Sequence, residues 1–142
     1  MSTAEPRALD VTVVVDVANV MGSRPDGWWR DRAAGATRVM ERLPELVGRV
    51  VDGPGDDART QLRIQRVVAV TEGAAKAAPA VPGIELVPAP HDGDGAIVDA
   101  ARDLGDAGER VLVVTADRGL RARLGDEVMV AGPGWLNDLI GR

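Results

Sequence analysis

The sequence predicts an α/β fold in which a mostly parallel sheet of four or five strands is layered between helices, and three observations carry that prediction. Apolar runs of strand length alternate with stretches of helical period, the pattern of βαβ units around a parallel sheet. At 142 residues and 45% hydrophobic content, the chain has enough apolar material for one core, burying about two-thirds of its unfolded surface. Acidic residues fall just past several of the strands, at the edge where doubly wound sheets bind their ligands.

Residues 1–10, "MSTAEPRALD", form a flexible leader, and residues 11–142 form the single domain. The first strand is 11–16, a β-branched run ending in Asp16. Ala36, Val39, Met40, Leu43, Leu46 and Val47 keep helical spacing, and Pro44 kinks that helix or starts a second one. "VVDGPGDDART" is a loop and the best candidate for disorder. The second strand spans 64–71 and the third 84–88, with the loop "AAKAAPAVPG" between them. Ile97, Ala100, Ala101 and Leu104 mark a shorter helix before the fourth strand at 111–115. In "DRGLRARL", Leu120 and Leu124 face inward at i, i+4 and leave Arg118, Arg121 and Arg123 on the outer or site-facing side, ahead of a short fifth strand at 127–131. "GPGWLNDLI" starts a terminal helix with Pro133 in its first turn and Trp135, Leu136, Leu139 and Ile140 inward.

Composition closes off several chemistries. Without cysteine there is no disulfide, thiolate metal site or thiol nucleophile, so a metal must sit on oxygen or on the single His91. The leader lacks a cationic n-region and an apolar core, and no segment approaches the ~20 apolar residues of a membrane span, which places the chain in the cytoplasm and off the membrane. A formal charge of −5 argues against holding nucleic acid by bulk charge and leaves local basic clusters as the means.

The acids at the strand ends are therefore the first candidates. Asp16 ends the first strand, Asp117 follows the fourth in "VLVVTAD" after Thr115, and Asp94 opens the helix after the third. Each alone could be an N-cap accepting backbone N–H groups. Gathered within ~5 Å, however, they would repel by about 3 kcal/mol per pair at an effective dielectric of 20, which capping does not require. A hard divalent cation, Mg²⁺ or Mn²⁺, relieves that repulsion on oxygen ligands and can activate water against a phosphodiester. Glu72 lies at the same edge as a supporting acid, while Asp99, turned about 200° from Ile97, faces solvent. His91 stands three residues before Asp94 and reads as a loop residue. "RPDGWWRDR" sets Trp28 and Trp29 among Arg24, Arg30 and Arg32 in a chain without Tyr or Phe. Indole stacking and arginine–phosphate contacts together describe a single-strand groove, although at least one of the two rings is expected to pack into the core. Arg118 lies beside Asp117.

Together "VVVDVANVMGSRPDGWWRDR", "GDGAIVDAA", "VLVVTADRGLRARL" and "AGPGWLNDLI" resemble the NYN family of PIN-like nucleases, specifically its small bacterial members, over most of the chain. The resemblance implies a Rossmann-like three-layer sandwich of strand order 3-2-1-4-5, an acidic Mg²⁺ or Mn²⁺ pocket and endonucleolytic cleavage of RNA. It makes Asp16, Asp94 and Asp117 metal-site acids and Asn19 a residue that orients water or substrate, with Asp16 capping no helix. The expected function is a divalent-metal-dependent endoribonuclease acting on single-stranded RNA. Arg30, Arg32, Arg118 and Trp28 are the expected substrate contacts; Thr115, Glu72, Asp99 and His91 stand behind them. A homodimer is left open. The chain departs from the family pattern at Val17, where a glycine is common, and at Gly95, where a second acid is frequent. The competing reading is a module that keeps the groove and binds RNA or a protein partner without cutting. A haloacid-dehalogenase-like phosphotransferase would want an acid at Ala18, and no G-x-G-x-x-G follows the first strand to suggest a dinucleotide site.

Overall fold

A computed structural model describes residues 8–142, in which six strands form one sheet between two helical layers. The strands are β1 (Leu9–Asp16), β2 (Val50–Asp52), β3 (Gln61–Thr71), β4 (Glu85–Pro88), β5 (Val111–Val114) and β6 (Met129–Ala131). The helices are α1 (Val17–Gly22), α2 (Arg32–Met40), α3 (Gly93–Asp106), α4 (Arg118–Arg123) and α5 (Pro133–Ile140). Of the expected leader, residues 1–7 lie outside the described residues, and Leu9 and Asp10 belong to β1.

The parallel strands run β4-β3-β1-β5-β6, so the five strands expected from sequence take the order 3-2-1-4-5. From central β1 the chain moves outward to β3 and β4, then returns through α3 to β5 on the other side, so β1 and β5 flank the switch point. Val11, Val13 and Val15 pack on one face with residues of α1, α2 and α5, while Val14 packs on the other with Ile97 and Ala101 of α3 and Leu120 of α4. Burial on both faces explains the unbroken valine run. Thr12 and Asp16 alternate with Val14 and therefore share the α3 face.

Two features depart from the sequence reading. Val50–Asp52, expected as loop, is an antiparallel strand on the first residues of β3, whereas β4 pairs parallel with the last ones. The register of β1 on β3 also slips, from Val11 opposite Ile64 to Thr12 opposite Arg66, leaving Gln65 as the extra residue of a bulge. Leu62 and Ile64 before it, and Val67 and Ala69 after it, consequently all join the first core face. Pro44 does start a second helical turn, Pro44–Leu46, after α2 has ended.

Candidate functional site

At the switch point the side chain of Asp16 is 7% exposed and its two oxygens are separately engaged. One accepts the Asn19 backbone N–H at 3.2 Å and the other accepts the Thr115 hydroxyl at 2.9 Å. Burial pushes the Asp16 carboxyl up to about 6; the Thr115 and Asn19 hydrogen bonds oppose this, and the charges of Glu72 and Asp94 add to it. The expectation that Asp16 caps no helix is overturned: it is the N-cap of α1, which begins at the next residue because Val17, Val20 and Met21 bury one helical stripe. Asn19 accordingly lies in the first turn of α1, not in a loop. Its side-chain oxygen accepts the Ala116 N–H at 2.7 Å, tying the end of β1 to the connection after β5 and leaving only the amide nitrogen for a ligand.

Thr115, fully buried, joins two of the acids. Its hydroxyl donates to Asp16 and accepts the backbone N–H of Asp117 at 3.1 Å, while Arg121 donates two guanidinium bonds to its carbonyl. Asp117 is the N-cap of α4, accepting the Leu120 N–H at 3.0 Å. Asp94 is not a cap. Asp92 caps α3 by accepting the Gly95 N–H at 2.6 Å, and Asp94 stands one residue inside the helix. Partial burial, then the charges of Asp117, Glu72 and Asp92, raise the Asp94 carboxyl, and Arg123 opposes them. Glu72, at the end of β3, accepts the Gly93 N–H at 2.8 Å and acts on both Asp16 and Asp94, a more central position than its sequence context suggested. A Cβ at Gly93 would lie 3.0 Å from that carboxylate, which explains the glycine there.

The remaining candidates are spread more widely. His91 is exposed in the connection before α3. Asp99 is exposed and pairs with Arg102 along α3, as its helical phase predicted. Trp28 packs against the core, and Trp29, 51% exposed, meets it edge-on at 5.8 Å. The Arg32 guanidinium lies 5.3 Å over the Trp28 ring, a cation–π contact that engages an expected substrate ligand within the protein. Arg30 and Arg118 are exposed. Sequence reasoning passed over Asp92, although "HDGDG" contains an acid it selected, and placed Arg121 and Arg123 beside Asp117 without giving them a role.

Among the described residues no three carboxylate or imidazole groups stand close enough to be joint direct ligands of one ion. By chemistry the donor set still fits Mg²⁺ or Mn²⁺: it is all oxygen, its members act on one another electrostatically, and Mg²⁺ commonly keeps several waters beside one or two carboxylates. No helix of the described residues is long and apolar enough to cross a membrane.

No family model and no curated protein sequence matches the chain. Among solved structures it is similar to a single-site mutant of Rae1 (YacP) from Bacillus subtilis, with a TM-score of 0.60 and 12% identity over 93% of this chain and 74% of that one. At that identity the likeness is one of fold.

Proposed function

We propose that the protein is a divalent-metal-dependent endoribonuclease that hydrolyses single-stranded RNA at the carboxyl ends of β1 and β5. The observation that supports this reading most is the coupling of Asp16, Glu72, Asp94 and Asp117 at the switch point, where burial and like charge raise two of the four carboxyls. Structural capping accounts for one oxygen of Asp117 and one of Asp16, but not for Asp94, which caps nothing. Asp94 and Asp117 would hold Mg²⁺ or Mn²⁺, with Asp16 and Glu72 behind them. Such an ion, when bound, lowers the pKa of its water and stabilises the departing oxygen. The chain has no cysteine or tyrosine to attack phosphorus, the Thr115 hydroxyl is buried and donates to Asp16, and that of Ser23 donates to the Val20 carbonyl, which leaves water as the nucleophile of this reading. Thr115 fixes Asp16, Asn19 ties the start of α1 to the connection after β5 and offers its amide to substrate, and Arg118 or Arg30 steadies the phosphate as charge builds. Trp29 is the exposed ring on which a base can stack.

The second reading, a module that binds RNA or a protein partner without cutting, is favoured by the absence of three gathered ligands among the described residues. Cleavage of a labelled RNA panel with Mn²⁺, by the wild type and by Asp117→Asn, separates the two. Cleavage by the wild type alone supports the nuclease. Equal cleavage by both points to another site or a contaminant, and RNA bound but uncut by either supports the binding module.

A further inference from the structure

On the α3 side of the sheet, a cavity of about 340 Å³ lies between α3, the end of α4 and the start of β6. Its floor is apolar, formed by Val98, Ala101, Val111, Leu124 and Val128. Asp94, Val98, Ala101 and Gly105 lie on one face of α3, at i, i+4, i+7 and i+11. Val98 is four residues beyond Asp94, about 6 Å along the helix axis, so the cavity begins one turn below the acidic site. Arg123 links the two, since it lines the cavity and its charge acts on Asp94.

The charges around the rim restrict the occupant. Glu109 is engaged by Thr12, Gln65 and Arg66, and Arg102 by Asp99. Asp106 and Glu127 remain as uncommitted acceptors among the described residues, with Arg123 as the uncommitted cation nearest the acids. The volume is near the lower bound for small-molecule sites, roughly 300 Å³, and too small to seat a partner helix. The Asp106 and Glu127 carboxylates, exposed at the rim, repel a phosphate from the lower part and are free to accept hydrogen bonds from a ligand that reaches them. A flat ring with N–H donors on its edge satisfies floor and rim together.

We infer that this cavity is a nucleoside subsite that takes one unstacked base of an RNA strand whose backbone passes Asp94; the identity of the strand rests on the proposed ribonuclease reading. Carboxylate acceptors match the adjacent N1–H and N2 amino donors of guanine best. Adenine and cytosine, with an amino group alone, follow, and uracil, with two carbonyl oxygens facing the acids, binds least. Arg123 keeps the attached phosphate at the acidic end.

The test is titration of the ¹⁵N-labelled full chain with GMP, AMP, CMP and UMP in chelator, read at the amides of Val98, Ala101 and Val128. GMP is expected to shift these amides and to bind about tenfold more tightly than UMP, a difference of about 1.4 kcal/mol. Gly105→Leu should abolish the shifts, because a Cβ at Gly105 meets nothing within 4 Å and the larger side chain fills open space. Removing a helical glycine should leave its melting temperature equal or higher, which separates blockage from misfolding. Asp106→Asn combined with Glu127→Gln should remove the preference for GMP over UMP. Absence of shifts with every nucleotide, shifts that persist in Gly105→Leu, or equal binding of GMP and UMP would overturn the inference. No metal or cleavage is needed, so nucleotide binding by an inactive protein refutes only the nuclease reading, and cleavage without nucleotide binding here refutes only the subsite.

Discussion

Asp117 carries a structural and a proposed catalytic role that different substitutions separate. As N-cap of α4 it needs only a side-chain oxygen for the Leu120 N–H, which asparagine supplies equally well. Asp117→Asn is therefore expected to melt like the wild type and to lose most RNA cleavage, whereas Asp117→Ala should also lose about 1 kcal/mol of stability. Calorimetry beside the cleavage assay checks both; an Asn variant that still cuts would remove Asp117 from the site. Asp16 gives a pH signature. Its carboxyl is raised from 3.8 to about 6, so between those values the folded state binds a proton that the unfolded state has released. Stability from this group is thus full below about pH 4 and falls as pH rises through 6, by about 3 kcal/mol in all for a shift of about two units. In chelator, the melting temperature of Asp16→Asn relative to wild type should climb across that window, and a constant difference would refute it. Both acids were legible in the sequence because each follows an apolar run that could only be a buried parallel strand. Their hydrogen bonds were not: whether Asp92 or Asp94 caps α3 depends on a two-residue choice of helix start that composition leaves open.

The elements missed by periodicity are short or out of phase. α1 has six residues, and its Val17 and Val20 continue the valine-rich run of β1, so the change of period from two to 3.6 has no room to show. β2 has three residues, of which only Val51 is buried, and it lies in a stretch rich in Gly and Asp. The first three residues of β3 lay outside the expected strand because the bulge at Gln65 shifts the alternation, so that Leu62, Ile64, Val67 and Ala69 cannot be read as one face. That bulge carries a prediction. Deleting Gln65 would leave Leu62, Ile64, Val67 and Ala69 in strict alternation on the core face, opposite the same residues of β1. The deletion should therefore fold, as should Gln65→Ala, as judged by circular dichroism; loss of the fold on deletion would show that the extra residue is needed for the pairing. Arg24, one of the arginines of the basic cluster, donates to the Arg142 carbonyl, and two arginines that the sequence reading did not single out hold helix ends: Arg42 donates to the Ile140 carbonyl and Arg142 to that of Val20, at the ends of α5 and α1. Sequence showed the basic cluster but not the helix ends that gather beneath it.

At the scale of the molecule, the strand order was legible through the family resemblance, while the closeness of the acids depends on loop lengths and caps that no connection rule fixes. On the proposed ribonuclease reading, a chain with 17 basic and 22 acidic residues would have to bring RNA to a pocket of its own charge sign, which a bound divalent ion would allow. The same ion should stabilise the fold, since it binds the native arrangement of Asp16, Glu72, Asp94 and Asp117 and not the unfolded chain. At a concentration of ~100 Kd the gain is about 2.7 kcal/mol, enough to raise the melting temperature by several degrees in a domain of this length. Ordinary screening acts in the same direction, because several of these carboxylates are partly exposed, so the control is NaCl at matched ionic strength. Mg²⁺ or Mn²⁺ is expected to raise the melting temperature well beyond that control in the wild type and to lose the excess in Asp94→Asn combined with Asp117→Asn. If the divalent and NaCl series coincide, or if the double variant keeps the full excess, the carboxylates do not form a metal site and the binding-module reading takes precedence.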